Sequence, residues 1–494
     1  MGYWIIFLIT FIAGTAVLMQ TKYERHLKII FLIRTQHFIN AIDFVSKIAP
    51  RFWLFLVDAA LPLFFGGVGF AYLSKQEESH RNLNILLAFS GFITALVISP
   101  DIITFLVISL LMVLGLHSLK KRNTSADFIT GSIFVTIITL KILGGLSLLG
   151  LSINLPTEYI YPLALIEGTL GIVPLMFIAF IAQAYDIVFE GSQRPGVSPA
   201  LPDVRDGELG LSFPGTDIFI PFIYALIAVA TVLFPHEFAH GIIARVHKLK
   251  LKSTGLLTLG ILPIGAFVEP DEEEIKERPS LQKTQIFIAG SFANLLVSLL
   301  AVVLLASISP IYLAMSSEGV EITDFDSNSS LKGNIAVGEI LCEINNHPVT
   351  SITSFKEVAS HLMPGDNATL TTNKGSYTVT LAEHPENSSR GYMGIIVRPY
   401  NSIIGYRIID FITTALFWIW FFNFNICLVN LLPIVPFDGW RILEELTKTF
   451  RVNQKEAMKI VKGVVAFSLF LLLLNALPLL TQAINLFIDL LSKI

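Results

Sequence analysis

The chain has 494 residues, of which 53% are hydrophobic and only 15% are charged, and its mean hydropathy is +0.68. Soluble globular proteins carry about 25% charged residues, so the composition argues against a soluble protein. The net charge of −4 is too small to indicate a nucleic-acid partner. The two cysteines, Cys342 and Cys427, lie far apart in the chain and indicate no disulfide framework.

Apolar stretches recur along the whole chain, and a stretch of about 17–25 residues is long enough to cross the hydrocarbon core of a bilayer as a helix. The first stretch lacks a preceding basic segment and an A-x-A-like cleavage site, so we expect an anchor helix and not a removed signal peptide. The stretches fall near residues 3–19, 52–73, 83–98, 102–118, 127–150, 160–189, 217–246, 281–307, 403–428 and 456–480. The sequence therefore predicts a polytopic α-helical membrane protein.

The segment between the first two stretches has a different pattern. It carries basic residues among apolar ones at helical spacing, namely Arg25, Lys28, Arg34, Lys47 and Arg51. This pattern predicts an amphipathic helix that lies on the membrane surface.

Ionisable residues also occur in or near the N-terminal apolar stretches, at Asp58, Lys141, Glu167 and Asp186. Such residues are costly in lipid. We expect them to form structural ion pairs, with a polar path between the helices as the alternative.

The sequence HEFAH at residues 236–240 lies inside an apolar stretch and matches the pattern H-E-x-x-H. On a helix, His236 and His240 are one turn apart and point to the same side, so their rings can supply two ligands to a tetrahedral zinc ion. Glu237 beside them is placed to polarise a water molecule on the metal. The alternative is a pair of buried, hydrogen-bonded histidines. Ionisable groups inside membranes are costly and usually functional, so metal chemistry is favoured.

Two later segments depart from the pattern of spans. Residues 255–270, GLLTLGILPIGAFVEP, are apolar but interrupted by glycine and proline, which predicts a re-entrant or β-like segment covered by protein or water. Residues 318–398 are polar and show period-two strand patterns. Their sequence AVGEILCEINNHPVTSITSFKEVASHL resembles the PDZ fold, with a strand, a turn at Asn345–Pro348 and a helix from about Ser354. A generic β-rich insert is the alternative.

Two histidines and a water molecule leave one position of a tetrahedral zinc site open. Asp438, in NICLVNLLPIVPFDGW (residues 425–440), is the best candidate, because it ends an apolar stretch in a turn set by two prolines and a glycine. A carboxylate is an ordinary zinc ligand. An aspartate that only begins a turn before the helix at 440–450 is the alternative.

Three blocks in this order, HEFAHG, AGSFANLL (residues 289–296) and NLLPIVPFDG (residues 430–439), together resemble the site-2 protease family of intramembrane zinc metalloproteases, peptidase family M50. The resemblance covers about residues 217–480, and a PDZ-like insert before the last block is typical of many members. The extra N-terminal spans and the run GAFVEPDEEE resemble an archaeal branch of the family. Many relatives have a small residue where this chain has Trp440, which puts in doubt how open the site is.

The resemblance implies one Zn²⁺ per chain, held by three protein ligands, with a general base beside it. The ligands are His236, His240 and Asp438, and the general base is Glu237. It also implies that asparagines contact the substrate backbone, namely Asn425, Asn430 and Asn294. The segment ending in GAFVEP would offer an edge strand to the unwound substrate, because freed backbone groups in lipid cost several kcal/mol unless they are bonded. For each asparagine, a contact between helices is the alternative.

These predictions divide the chain into an N-terminal multi-span region with the amphipathic surface helix, a proline- and glycine-rich linker, a first protease part, a PDZ-like domain and a second protease part. Their residues are 1–189, 190–216, 217–317, 318–398 and 399–494. The lysines that follow the histidine motif, Lys248, Lys250 and Lys252, predict that its end is cytoplasmic. Counting the spans from this cytoplasmic end predicts that the PDZ-like domain lies outside the cell. We expect the protein to lie in the plasma membrane.

The sequence therefore predicts a zinc endopeptidase that cuts transmembrane helices near the cytoplasmic face, as in regulated intramembrane proteolysis. Its expected partners are membrane-embedded protein substrates and the lipid bilayer, with no nucleic acid. One alternative is a membrane zinc transporter, which needs repeated half-helices, and the sequence shows no internal repeat. The other is a catalytically inactive membrane scaffold, against which the intact H-E-x-x-H pattern argues.

Overall fold

The computed structural model describes residues 2–492 apart from 22, 27, 28, 100–103, 107, 110–122, 149–156, 206, 315–318, 327, 328, 330, 332, 385, 386, 402, 403, 451 and 452. The chain forms two compact units. The first combines Met1–Ser298 with Phe421–Ile494, and the second is Leu299–Trp420.

Helices dominate the described residues. In chain order they are α1 (Gly2–Met19), α2 (His37–Ile48), α3 (Pro50–Ser74), a 3-10 turn (Glu77–Ser79), α4 (His80–Ile98), α5 (Thr124–Leu148), α6 (Thr157–Leu170), α7 (Ile172–Phe189), α8 (Phe222–Val246), α9 (Glu272–Lys276), α10 (Ser280–Ala314), α11 (Ile352–Ser360), α12 (Ile404–Leu431), α13 (Asp438–Thr449) and α14 (Gln454–Ser492).

The strands are short and lie between the helices. They are β1 (Glu24–His26), β2 (Ile30–Thr35), β3 (Leu201–Arg205), β4 (Glu208–Ser212), β5 (Phe219–Pro221), β6 (Leu251–Leu259), β7 (Leu262–Pro270), β8 (Gly319–Phe325), β9 (Ile340–Ile344), β10 (His347–Pro348), β11 (Asn367–Thr372), β12 (Ser376–Thr380), β13 (Ala382–His384), β14 (Asn387–Tyr392) and β15 (Ile395–Tyr400).

Seven helical segments among the described residues are long and apolar enough to cross a membrane. They are Pro50–Ser74, Glu77–Ile98, Ile172–Phe189, Phe222–Val246, Ser280–Ser309, Tyr406–Leu431 and Gln454–Asn485. The predicted polytopic α-helical membrane protein is therefore confirmed. The apolar stretch predicted near 160–189 forms two helices, α6 and α7, and the stretch near 102–118 lies largely outside the described residues.

The amphipathic N-terminal segment is only partly helical. The helix is confined to α2, and the residues before it form strands β1 and β2. Strand β2 pairs antiparallel with β6 from Ile30 opposite Leu259 to Thr35 opposite Thr254. The segment predicted as re-entrant or β-like forms the hairpin β6–β7, and the complete sheet has the order β1-β2-β6-β7. The N-terminal segment thus covers one edge of this hairpin and leaves β7 at the other end.

The N-terminal helices also contact the helix that carries the histidine motif. Helix α2 packs on α8, and Arg245 near the end of α8 donates to both carboxylate oxygens of Asp43 on α2. A second N-terminal helix contacts α10, where the hydroxyl of Tyr72 in α3 forms a hydrogen bond of 2.9 Å with the hydroxyl of Thr284. Ile42 of α2 is completely buried. The N-terminal region and the later helices accordingly belong to one compact unit.

Among the residues that the structure describes, Asp58 forms no ion pair, although the sequence predicts one. Its buried carboxylate accepts hydrogen bonds of 2.7 Å from the side-chain amides of Asn82 and Gln285. The carboxylate of Glu167 likewise accepts from the hydroxyl of Thr139. Neutral amide and hydroxyl donors therefore satisfy these acids, which sequence position alone does not reveal.

The second unit contains a mixed structure around its own core. Its main sheet has the order β12-β11-β9-β8-β15, with β10 paired to β9. Asn345 and Asn346 adopt positive φ in the turn between β9 and β10, and a capping box from Ser351 to Ser354 begins helix α11. The predicted strand, turn and helix therefore occur in the predicted order, while assignment to the PDZ fold stays a prediction.

Candidate metal centre

Helix α8 brings the two motif histidines together. His236 and His240 are one turn apart on it, and their Nε2 atoms lie 3.2 Å from each other. His236 is buried, with 9% of its surface exposed. The spacing of the motif therefore produces the geometry that helical periodicity predicts.

Asp438 reaches the same point from a distant part of the chain. Its Oδ2 lies 3.5 Å from Nε2 of His236 and 3.2 Å from Nε2 of His240. It is the first residue of helix α13, where the helix dipole favours a negative charge. Gly439 permits this placement, because a Cβ atom there would lie 2.2 Å from the carbonyl oxygen of Leu431 at the end of α12.

The three donor atoms have the spacing that a zinc ion requires. Zinc binds imidazole nitrogen and carboxylate oxygen at about 2.0–2.1 Å, so two ligand atoms of a tetrahedral site lie about 3.3–3.4 Å apart. The three separations between His236, His240 and Asp438 are 3.2, 3.2 and 3.5 Å. The residues present therefore fit a zinc ion with one coordination position left for another ligand.

Gly290 of α10 makes room for this cluster. A Cβ atom at this position would lie 2.4 Å from Nε2 of His240 and 2.6 Å from Nε2 of His236. Any side chain would push the two rings apart or block the space between them. Gly290 belongs to the block AGSFANLL (residues 289–296), but the resemblance implies no role for it.

In both histidines, the ring nitrogen Nδ1 has a hydrogen-bond partner on the side of the ring opposite Nε2. Nδ1 of His240 lies 2.7 Å from the backbone carbonyl oxygen of Ile286. Nδ1 of His236 lies 3.2 Å from the side-chain amide of Asn294. The Nε2 atoms of both rings consequently face Asp438.

Glu237 lies beside the cluster and is held by the hairpin. Its Oε2 accepts a hydrogen bond of 3.1 Å from the backbone N–H of Val268 in β7. Both residues line a cavity of about 330 Å³ that also contains His236, His240 and Asp438. The hydrogen bond from β7 thus holds the carboxylate in the cavity that the two histidines and Asp438 line.

The model of peptidase family M50 matches residues 224–478, which is more than half of the chain. This chain belongs to peptidase family M50.

This M50 protein is similar to an uncharacterized protein of the archaeon Methanocaldococcus jannaschii. The two chains are 32% identical over 239 residues, which cover 46% of this chain and 59% of the relative. The match thus spans about three fifths of the length of the relative. The family agrees with the resemblance to the site-2 proteases that the three sequence blocks predict.

The asparagines expected at the substrate site of this M50 protein lie in three different environments. Asn430 lines the cavity at the metal centre. Asn425 is exposed and donates to the carbonyl oxygen of Phe421 in its own helix, and it is not among the lining residues of that cavity. Asn294 is completely buried behind His236. Of the three asparagines, Asn430 is thus the one that lines this cavity, and substrate contact by each of them stays a prediction.

Arg441 is a lining residue that the sequence did not indicate. It follows Asp438 by one helical turn on α13, and its guanidinium lies 5.2 Å from the ring centre of Phe287 and 5.6 Å from that of Trp440. Trp440, the departure from the family pattern, therefore stacks on Arg441, and it does not line the cavity of the metal centre.

Proposed function

We propose that this M50 protein is a zinc-dependent endopeptidase that hydrolyses peptide bonds within the transmembrane helices of membrane-anchored proteins. The observation that carries the proposal is the position of Asp438, whose carboxylate meets the two histidines of the H-E-x-x-H motif so that three ligand atoms lie within 4.8 Å of one another. Family membership supports a membrane metalloprotease in general terms. The substrate, the cleavage position and the mechanism are our proposals.

His236, His240 and Asp438 would hold the zinc ion. A bound zinc ion would supply positive charge that lowers the pKa of a water molecule to about 7 and stabilises negative charge on the scissile carbonyl. Glu237 takes the proton of the attacking water and later gives it to the leaving amine. The hydrogen bond from Val268 keeps the Glu237 carboxylate in the cavity throughout this exchange.

Strand β7 would bind the unwound substrate. It is the last strand of the sheet β1-β2-β6-β7, and its residues Val268 and Pro270 line the metal cavity. A substrate segment that adds to this edge would satisfy backbone groups that lose their helical hydrogen bonds. Asn430, in the same cavity, supplies a donor and an acceptor for the remaining groups.

The cleavage would take place near the cytoplasmic face of the plasma membrane. The lysines after α8 support this orientation, because positive residues concentrate on the cytoplasmic side. In this orientation the PDZ-like domain lies outside the cell and screens substrates. If so, deletion of residues 318–398 lets the enzyme process substrates that have not been cut outside the membrane, and unchanged selectivity contradicts the screening role.

The test of the proposed activity is the Glu237→Gln variant, purified, with its bound zinc quantified, and incubated with a transmembrane peptide. We expect the variant to retain one zinc ion per chain and to lose cleavage, while Glu190→Gln, an exposed residue after α7, keeps both. Cleavage unaltered by Glu237→Gln removes this residue from the mechanism. Zinc flux in proteoliposomes without cleavage favours a transporter, and wild-type protein with neither activity favours a scaffold.

A further inference from the structure

Asn294 of α10 has an environment that a simple contact between helices does not explain. Its side chain is completely buried, and its amide nitrogen lies 3.2 Å from Nδ1 of His236. Its amide oxygen has no hydrogen-bond partner among the described residues. A buried amide oxygen without a donor is rare in folded proteins.

The chemistry of the ring decides which amide atom faces His236. If the amide nitrogen donates to Nδ1, then Nδ1 must be unprotonated and the ring proton must lie on Nε2, where it would block a metal ligand. If the amide is turned by half a rotation, its oxygen accepts a hydrogen bond from Nδ1–H, and Nε2 keeps its lone pair. The oxygen and the NH2 group of the amide have nearly the same size, so the ring nitrogen that they face selects the orientation. The turned orientation pairs the amide oxygen with Nδ1–H and leaves Nε2 of His236 available toward Asp438, while the amide NH2 group takes the position that has no partner among the described residues.

The second histidine shows the same arrangement with a backbone partner. Nδ1 of His240 lies 2.7 Å from the carbonyl oxygen of Ile286, an atom that can only accept a hydrogen bond. In the neutral His240 ring, Nδ1 is therefore the protonated nitrogen and Nε2 carries the lone pair that can bind a metal ion. An oxygen acceptor behind each ring makes the two histidines equivalent as ligands.

We propose that Asn294 is a positioning residue that fixes His236 in the tautomer and ring orientation required for zinc binding, through its side-chain oxygen. This inference rests on the proposed zinc site and replaces the substrate contact that the resemblance implies for this residue. The hydrogen-bond partner of His236 is then a side chain, so it can be substituted while all three zinc ligands stay unchanged.

The experiment measures the zinc dissociation constant of the full-length protein in detergent, by competition with a chromophoric chelator. Asn294→Leu keeps the approximate size but removes the acceptor, and we expect zinc binding about 10–100-fold weaker than in the wild type. Asn294→Asp keeps an oxygen acceptor, and we expect a dissociation constant within about threefold of the wild type. The matched control is Asn475→Leu, a completely buried asparagine of α14 that donates to Phe180 and Leu471 away from the site. It should lower the melting temperature and leave zinc affinity unchanged.

The outcomes separate this inference from the proposed function. A wild-type protein that binds no zinc refutes both. A wild-type protein that binds one zinc ion, together with an equally tight Asn294→Leu variant, refutes only the positioning role. An Asn294→Asp variant as weak as Asn294→Leu also refutes it. If Asn294→Leu is not recovered folded, Asn294→Ala replaces it, and equal affinity of the Ala and Asp variants contradicts the proposal.

Discussion

The carboxylate of Asp438 lies 3.2 Å from Nε2 of His240, although one residue begins a helix late in the chain and the other belongs to α8. Helix α13 can approach so closely because residue 439 is a glycine that lies against the carbonyl oxygen of Leu431. The metal centre is thus a product of tertiary packing between helices and not of the histidine motif alone.

Replacement of Asp438 by asparagine should weaken zinc binding by more than about 100-fold and abolish cleavage, because a neutral amide is a poor substitute for a carboxylate ligand. Zinc content and peptide cleavage of the purified variant check this. The control is Glu444→Gln on the same helix, which removes an ion pair with Lys448 at 2.8 Å. Full zinc occupancy in the Asp438 variant would mean that another group completes the site.

Removal of the metal should destabilise the wild type in a way that depends on free zinc. A ligand at 100 times its dissociation constant stabilises the folded state by about 2.7 kcal/mol. We therefore expect a chelator to lower the apparent melting temperature of the wild type, and added zinc to restore it. The Asp438→Asn variant should melt at the same temperature with and without the chelator. A shift of equal size in both proteins would place the stabilising zinc elsewhere.

Gly290→Ala should impair the site although no ligand is changed. The added methyl group would lie 2.4 Å from Nε2 of His240, so the rings must move, and displacements of about 1 Å can reduce catalysis about 100-fold. Cleavage and zinc titration of the variant measure the effect. Gly463→Ala in α14 is the matched control, because no atom lies within 4 Å of the added group. Equal activity of the two variants would show that the rings do not depend on this gap.

The ion pair between Asp43 and Arg245 should stabilise the docking of α2 on α8. The hydrogen bond from Arg245 holds the pKa of Asp43 below its usual 3.8, against the opposing effect of burial. Because the pKa is lowered in the folded state, the stabilisation is complete above pH 4 and is lost as the pH falls through the lowered pKa.

We therefore expect Asp43→Ala to reduce stability by about 1–2 kcal/mol at pH 7, with a difference from the wild type that shrinks below about pH 4. Melting temperatures measured across this pH range test both parts. Asn40→Ala, an exposed position on the same helix, should show neither effect. A difference that persists at low pH would assign the loss to packing and not to charge.

Leu32→Pro should lower cleavage while zinc stays bound. Leu32 lies in β2 with a strand on either side, opposite Glu24 of β1 and Leu257 of β6. Proline has no N–H and therefore removes a hydrogen bond between strands at this position. A distorted sheet would misplace β7 and with it the N–H of Val268 that holds Glu237. Leu32→Val, which suits a strand, is the control. Unchanged kcat/KM in the proline variant would separate the N-terminal strands from the function of the hairpin.

The sequence predicted the spans and the histidine pair well, because both depend on local periodicity. Helical spacing alone places His236 and His240 on one side of α8. The approach of Asp438 is a contact between distant segments, so its local sequence left two roles open and the order of the family blocks indicated the ligand. Gly290 carried one available signal, since it lies one turn before Asn294 and therefore on the same side of α10.

The N-terminal segment was harder to predict because its pattern fits two structures. Residues 30–35, IFLIRT, suit an amphipathic helix or a strand, and the choice is made by pairing with β6, more than two hundred residues later. The partners of Asp58 were missed for a similar reason. Its amide donors, Asn82 and Gln285, come from two other helices that sequence position does not bring together.

The sheet order β1-β2-β6-β7 has a practical consequence for anyone who wishes to isolate the catalytic part. A fragment that starts where the family match starts, at residue 224, would lack β2 and expose the hydrogen-bonding edge of β6. It would also leave Gly241 without its neighbour Ile42. Unpaired edges invite association between molecules, so such a truncated product should precipitate where a product that begins before β1 stays dispersed.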